Sequence, residues 1–421
     1  MTSVAVVGGG LAGLVAARRL ADAGLEVQLF ERRGELGGRV RTREVDGFTL
    51  DRGFQVLFTA YPAVRRELDL DALDLRHFPP GATIARPGHR STLSDPVRDP
   101  TRALATLLND DVGALDKFRV LRLQRELRRR DYSTLFPGPD TDIRTFLSDR
   151  GFSERFIERF AAPFYGGITL DRSLSTAAAV FAYTFKAMSE GGIAVPAAGM
   201  GAIPAQLANA ARAAGATIET ESEVVDLHAD DDGAGLDLGD RTLDVDATVL
   251  ATDPLSARSM TSIQSIPTAA RGCVTQYYSL PASVGLEPSG RLVINAGGTQ
   301  PNHVAALSQV ASEYAPEGQH LLAATFLGES EDDDEELAAL TRTALESWFP
   351  EAAVGALEAI HTDRIAFAQF AQPPGVHDGL PAPDEPAGPV YLAGDYTQWS
   401  SIQGALESGI EAAGSLLRDL E

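Results

Sequence analysis

The chain has 421 residues, with 36 basic against 59 acidic side chains and a formal net charge of −23. That length suggests two or three structural units with a core that needs no staples, and a hydrophobic fraction of 44% excludes wholesale disorder. An acidic surface repels phosphate backbones, which excludes a sequence-independent nucleic-acid binder.

The single cysteine, Cys273, excludes a disulfide framework and a cysteine-ligated metal. The histidines, among them His77, His228, His303 and His361, show no metal-ligand spacing. Lys117 and Lys186 are the only lysines, and the acids are dispersed along the chain. This composition points to a halophilic protein, because concentrated salt screens the self-repulsion; an acidic mesophilic protein from a GC-rich genome is the alternative. No run supplies the ~20 apolar residues of a membrane span, and Met1-Thr2-Ser3-Val4 carries no basic leader. A soluble, cytoplasmic protein is expected.

In chain order, Val4-Ala5-Val6-Val7 reads as a strand buried on both faces. A glycine-rich turn leads into a helix from about Leu14 to Ala23, with Gly24 as its stop. The strand Val27–Phe30 ends on Glu31, completing a βαβ unit of dinucleotide-binding type. Asp46-Gly47 turns a hairpin between Thr42–Val45 and Phe48–Asp51. From about Tyr61 to Met188 the pattern is helical, broken by Pro79-Pro80, Pro96, Pro100, Pro137 and Pro139. A helix Ala202–Ala214 closed by Gly215 then precedes strands near Ala216–Glu219, Glu223–Leu227 and Thr248–Ala251, with a loop at Asp230-Asp231-Asp232-Gly233. A strand Val274–Leu280, a helix of about Asp332–Trp348 capped by Ser330, a strand Val390–Ala393 and a C-terminal helix follow.

Gly8, Gly10 and Gly13 form G-x-G-x-x-G between strand and helix. The first allows the tight turn, the second lets a pyrophosphate approach, and the third lets helix and strand pack closely. The amides of the helix start, at Leu11 and Ala12, face that phosphate position. Glu31 stands at the strand end, where its carboxylate accepts from ribose hydroxyls and repels a 2′-phosphate.

The next stretch, Glu31-Arg32-Arg33-Gly34-Glu35-Leu36-Gly37-Gly38-Arg39-Val40-Arg41-Thr42, resembles the flavin-containing amine oxidoreductase superfamily, and within it the protoporphyrinogen oxidase and phytoene desaturase-like branch. So do Leu50-Asp51-Arg52-Gly53-Phe54-Gln55, Tyr391-Leu392-Ala393-Gly394-Asp395 and Gln403-Gly404-Ala405-Leu406-Glu407-Ser408-Gly409. The resemblance implies non-covalent FAD. Glu31, Arg32 and Arg33 would serve its ribose end, and Gly38 and Arg39 its pyrophosphate. Gly53, Phe54 and Gln55 would touch the ring, Val224 the adenine, and Asp395 the ribityl or phosphate region. The amides of Gln403, Gly404 and Ala405 would face the pyrimidine end.

The implied fold is α/β: a glutathione-reductase-like FAD-binding Rossmann domain (1–60, 190–255 and 386–421) with an inserted mixed α+β substrate domain (61–189 and 256–385). The implied activity is dehydrogenation of an apolar, isoprenoid- or porphyrin-like substrate by hydride transfer to flavin N5, with oxygen, a quinone or NADP as acceptor. An amine oxidase, a redox-neutral isomerase and a non-enzymatic prenyl-binding escort module are the alternatives. Against the amine oxidase, Ile402 stands where an aromatic of the closing motif is expected, and Cys273 falls near the place of a lysine that holds water on N5. No acid–base catalyst stands out. Phe160, Phe164, Tyr165, Phe181, Tyr183, Phe185 and Met188 are candidates to line an apolar channel, with core packing the expected use of most of them. Arg122, Arg125 and Arg129 share a helix face opposite Val120, Leu123 and Leu127; the face is either solvated and paired to nearby acids or a contact with anionic lipid.

Overall fold

The computed structural model describes residues 2–94, 99, 109–138, 140–230, 233–285 and 290–420. Pro96, Pro100, Pro139, Asp231 and Asp232 lie outside the described residues.

The chain opens with β1 (Ser3–Val7), α1 (Leu11–Asp22) and β2 (Glu26–Glu31). The helix starts three residues before the sequence pattern suggested, because Gly10 itself takes the extended cap conformation. Gly24, at φ +85°, lets the chain reverse out of it. β1 and β2 are parallel neighbours in a five-stranded sheet of order Thr217–Thr220, β2, β1, Ala247–Leu250, Val390–Leu392. Every pairing in it is parallel, which is why β1 reads as a continuous apolar run. Three separated parts of the chain supply these strands. The C-terminal helix (Ile402–Asp419) lies against α1, and their approach requires Gly409, where a Cβ would collide with the Ala12 carbonyl oxygen.

A second sheet has seven strands in the order Glu358–Phe370, Ala270–Pro281, Gln319–Leu327, His303–Ala306, Leu292–Asn295, Ala82–Arg86, His89–Leu93. The last two correct the helical reading of the region after Tyr61. Ala82–Arg86 pairs in parallel with Leu292–Asn295, a partner some 200 residues away, so nothing local marks it as a strand. One face of this sheet packs under the helix Asp334–Trp348 through Val274, Tyr278, Leu337, Leu345 and Trp348. The other, with Tyr277, Ala305 and Ala323, joins the main core shared with the first sheet. Asp333 caps that helix in a capping box with Glu336, displacing Ser330 from the expected role.

The hairpin Thr42–Val45 and Phe48–Asp51 forms with Asp46 and Gly47 at positive φ. Ala202–Ala214 is a helix closed by Gly215 at φ +105°. The strand expected from Glu223 begins only at Asp226.

Candidate functional site

At the C-terminal ends of β1 and β2 the chain builds a cradle from glycines. A Cβ on Gly8 would strike the Ala251 carbonyl, one on Gly9 the Leu36 side chain, one on Gly13 the Gly8 carbonyl, and one on Gly37 the Val40 carbonyl. A Cβ on Gly10 would meet nothing within 4 Å. Gly8, Gly13 and Gly37 are therefore demanded by backbone packing, Gly9 is crowded by the end of a side chain, and Gly10 opens onto free space. The first backbone bond of α1 runs from Leu14 N–H to the Gly10 oxygen (3.0 Å), and no side chain caps the helix. The amides of Leu11, Ala12 and Gly13 precede that bond. Space over Gly10, bordered by helix-start donors, fits a pyrophosphate.

Glu31 is buried beside this space. Its Oε2 accepts from Gly9 N–H (2.8 Å) and its Oε1 from Arg33 N–H (3.0 Å). Each oxygen keeps a lone pair for a further donor, as a ribose diol requires. Arg33 thus meets Glu31 through its backbone. Arg32 stands half-exposed, 3.7 Å from Asp253 and 4.0 Å from Glu223. Gly38, at φ +61°, lies next to the Gly10 Cα, and Gly37 N–H donates to the Gly9 oxygen (2.8 Å).

Arg39 forms a two-bonded ion pair with Asp395, Nη1 to Oδ2 at 3.0 Å and Nη2 to Oδ1 at 2.6 Å, and also reaches the Ala368 carbonyl. Burial works against the guanidinium charge, but the Asp395 carboxylate more than offsets it and holds the Arg39 pKa above its ordinary value. Ser400 Oγ gives Asp395 a third donor at 2.7 Å. Gln55 donates from Nε2 to the carbonyls of Arg39 and Arg52 (both 2.9 Å), so its side chain fixes the loop.

Gly53 N–H donates to Asp363 Oδ2 (3.1 Å) and Phe54 N–H to Thr275 Oγ1 (3.4 Å). Asp363, Thr275, Thr325 and His303 are register partners across four adjacent strands of the seven-stranded sheet. This polar row forms a floor beneath Gly53–Phe54, and the Phe54 ring lies 5.1 Å from that of His303. Thr325 Oγ1 and His303 Nε2 are buried with no partner. Asn302 Nδ2 donates to His303 Nδ1 (3.1 Å), so Nε2 carries the hydrogen. Burial lowers the His303 pKa to about 4, keeping the ring neutral. An unused donor and hydroxyl next to the expected ring-contact segment make His303 and Thr325 candidate site residues. The sequence showed only a histidine without metal spacing; the strand register was the missing signal.

Val224 is buried with Val7 and Phe30, while Val225 is exposed. In the closing motif, Gln403 turns its side chain away from the cradle. Its Oε1 accepts from Ala63 N–H (2.8 Å) and its Nε2 approaches Glu407 (3.2 Å). Gly404 N–H donates to the Ser401 cap and Ala405 N–H to the Ser401 carbonyl. The amides of Ile402 and Gln403 are then the ones this helix start leaves open.

Cys273 is buried, and burial pushes its thiol up to about 11. It pairs in register with Ile365, the side chain that fills the space beside Gly53. Neither lysine lies on this strand: Lys186 pairs with Glu190, and Lys117 donates to the Asn109 carbonyl. Among the described residues no group of side chains could hold a metal ion, and no helix is long and apolar enough to cross a membrane.

A parallel sheet carrying this glycine cradle with a buried glutamate beside it, and a second, mixed sheet beneath Gly53–Phe54, is the architecture of a dinucleotide-binding flavoprotein. The chain belongs to the flavin containing amine oxidoreductase family, whose description it matches over residues 11–417. It is 30% identical over 168 residues to protoporphyrinogen oxidase 2 of Arabidopsis thaliana, covering 39% of this chain and 32% of that one. It is 32% identical over 290 residues to phytoene dehydrogenase of Streptomyces griseus, covering 61% and 55%. The matches thus span from about a third to just over half of these relatives' lengths. Its fold resembles that of cyclohexylamine oxidase from Brevibacterium oxydans, with a TM-score of 0.72 at 19% identity over 100% of this chain and 99% of that one.

Proposed function

We propose that the protein is an FAD-dependent oxidoreductase that dehydrogenates an apolar substrate of isoprenoid or porphyrin-like character. The observation that carries this reading is a ladder of rings beside the site. Phe152, Phe156, Phe160, Phe164, Tyr165, Phe181 and Phe185 follow one another at centroid spacings of 4.5–5.6 Å. Phe160, Phe164 and Phe185 are only partly buried, so ring faces remain for an apolar ligand. The names of the two sequence relatives support the same substrate class.

Bound FAD supplies a hydride acceptor at N5. This chain's part is to hold and shield it. The Gly10 cradle and the α1 amides would bind the pyrophosphate, Glu31 the ribose, and Gly53–Phe54 with the polar row beneath would face the ring. The open amides of Ile402 and Gln403 would favour negative charge on the ring. With a thiol near 11 and well buried, Cys273 is a poor candidate for covalent attachment, so the flavin is held non-covalently. The strand origins support a cofactor domain of 1–60, 190–255 and 386–421 around a substrate domain of 61–189 and 256–385. The dispersed acids fit a salt-adapted, intracellular protein.

The test is anaerobic incubation of the yellow holoprotein with a polyene, a porphyrinogen and a primary amine, followed by absorbance. Bleaching by the polyene or porphyrinogen supports the reading; bleaching by the amine alone overturns it. Reoxidation with oxygen, a quinone or NADP then identifies the acceptor. Flavin released fully by acid precipitation supports non-covalent attachment.

A further inference from the structure

The helix Ala114–Arg128 is a basic element in an acidic protein. Between Ala114 and Arg130 stand seven basic and two acidic side chains, against a net charge of −23 for the whole chain. Its inward side is fixed. Leu123 and Leu127 are buried, and Asp116 accepts from Ser153 N–H (3.0 Å) and Oγ (2.6 Å) while pairing with Arg119.

The outward side is different. At 100° per residue, Leu115, Phe118, Leu121, Arg122, Arg125 and Arg129 fall within one arc of roughly 120°. Leu115 is 71% exposed, Phe118 63% and Leu121 41%. Among the described residues, no acid pairs with Arg122, Arg125 or Arg129, and Glu126, just beyond the edge of this arc, is engaged by Arg150 (3.4 Å).

We propose that this face docks the protein on an anionic lipid bilayer. The three apolar side chains occupy the first two turns and the three arginines the following ones. Apolar groups can thus enter the boundary between headgroups and acyl chains while guanidiniums meet lipid phosphates. Phe118, Leu121, Arg122, Arg125 and Arg129 also line a shallow hollow of about 700 Å³ shared with Glu126. The excess of positive charge on this helix is complementary to an anionic bilayer surface and opposite in sign to the net charge of the chain. The position is also continuous with the ring ladder. Lys186 Nζ donates to the Arg128 carbonyl (3.3 Å), joining this helix to Ala178–Glu190, which carries Phe181 and Phe185. Ser153, held by Asp116, opens the segment with Phe156 and Phe160. Delivery of a bilayer-dissolved substrate from this face rests on the apolar-substrate reading; the docking itself does not.

The test is flotation of the holoprotein with vesicles of phosphatidylglycerol and phosphatidylcholine, or of phosphatidylcholine alone, at low salt. Binding to the anionic vesicles only is expected. Joint Arg122→Glu, Arg125→Glu and Arg129→Glu substitution should weaken it at least about a hundredfold. Phe118→Ser should weaken it separately, with the flavin spectrum and monomer mass unchanged. In 1 M salt, where charges are screened within about 3 Å, the arginine contribution should vanish and the Phe118 contribution persist. Absence of binding at low salt, equal binding by the triple variant, or a soluble dimer that Phe118→Ser disrupts would each overturn the proposal. None of these readouts involves turnover, so docking and substrate class fail independently.

Discussion

Arg39 and Asp395, 356 residues apart in sequence, meet in a two-bonded ion pair whose acid is buried and whose base is one-third exposed. The pair ties the loop after β2 to the turn after the last strand of the first sheet. It also pre-positions a guanidinium whose in-plane donors suit a pyrophosphate.

Arg39→Ala strands the Asp395 carboxylate with Ser400 as its remaining side-chain donor, and should cost the flavin-free protein about 3 kcal/mol. Asp395→Ala leaves a guanidinium that can reach water, so it should cost less. Flavin occupancy should fall in both, by about tenfold or more for Arg39→Ala. Urea unfolding and flavin titration read the two effects. Full occupancy in Arg39→Ala would remove Arg39 from the cofactor site.

Gly10→Ala and Gly13→Ala should separate binding from packing. Gly10 has φ −76° and open space around a Cβ, so alanine should leave the flavin-free unfolding temperature unchanged while weakening flavin binding about tenfold or more. At Gly13 the added methyl meets the Gly8 carbonyl, and the flavin-free protein should already melt several degrees lower. Thermal scans with and without flavin distinguish the two.

Asp51 gives a pH prediction. Burial raises its carboxyl to about 6, against the donors Thr42, Met200 N–H and Tyr314. The folded chain then keeps a proton that the unfolded chain has released above about pH 4, so stability falls as pH rises from about 4 to 6, by up to about 3 kcal/mol. His303, lowered by burial to about 4, works in the opposite sense, since the unfolded chain protonates first as pH falls below about 6.5. Whole-protein curves mix the two; the difference between wild type and Asp51→Asn isolates one. The amide keeps an oxygen for Thr42 and Met200, and Tyr314 can donate to the Pro196 carbonyl instead (3.2 Å). The variant should match wild type near pH 4 and exceed it above pH 6 in urea unfolding. A pH-independent difference would contradict the raised carboxyl.

His303→Leu removes the unsatisfied Nε2 donor but also the acceptor of an Asn302 N–H, so the two effects should offset and the flavin-free protein should change little in stability. In the flavin-loaded protein the variant should be the less stable, because the Nε2 hydrogen then has an acceptor to lose. Equal effects on both forms would make His303 a framework residue only.

The parts of this molecule that were legible in its sequence are those written in short stretches. Four apolar residues, three glycines and Glu31 specify β1, α1 and the cradle because strand, turn and helix each depend on neighbours within a few positions. The strands Ala82–Arg86 and His89–Leu93 were not legible, since their identity depends on Leu292–Asn295. For the same reason the polar row of His303, Thr325, Thr275 and Asp363 emerges only from register. Gln403 sits in a recognisable motif, yet its side chain serves Ala63, a contact spanning 340 residues. Ser330 and Asp333 are both good caps, and the Glu336 carboxylate three residues on decides for Asp333.

The parallel sheet drawn from three distant segments also sets an order of events in biosynthesis. β1, α1 and β2 leave the ribosome with the glycine cradle complete in sequence, but Asp395 and the helix that crosses α1 follow some 356 residues later. At about 5–20 residues per second that is a delay of roughly 20 to 70 seconds. During it the nascent chain displays an unpaired strand edge and a half-built nucleotide pocket. The Arg39–Asp395 pair can therefore form only once nearly all of the described chain has been made.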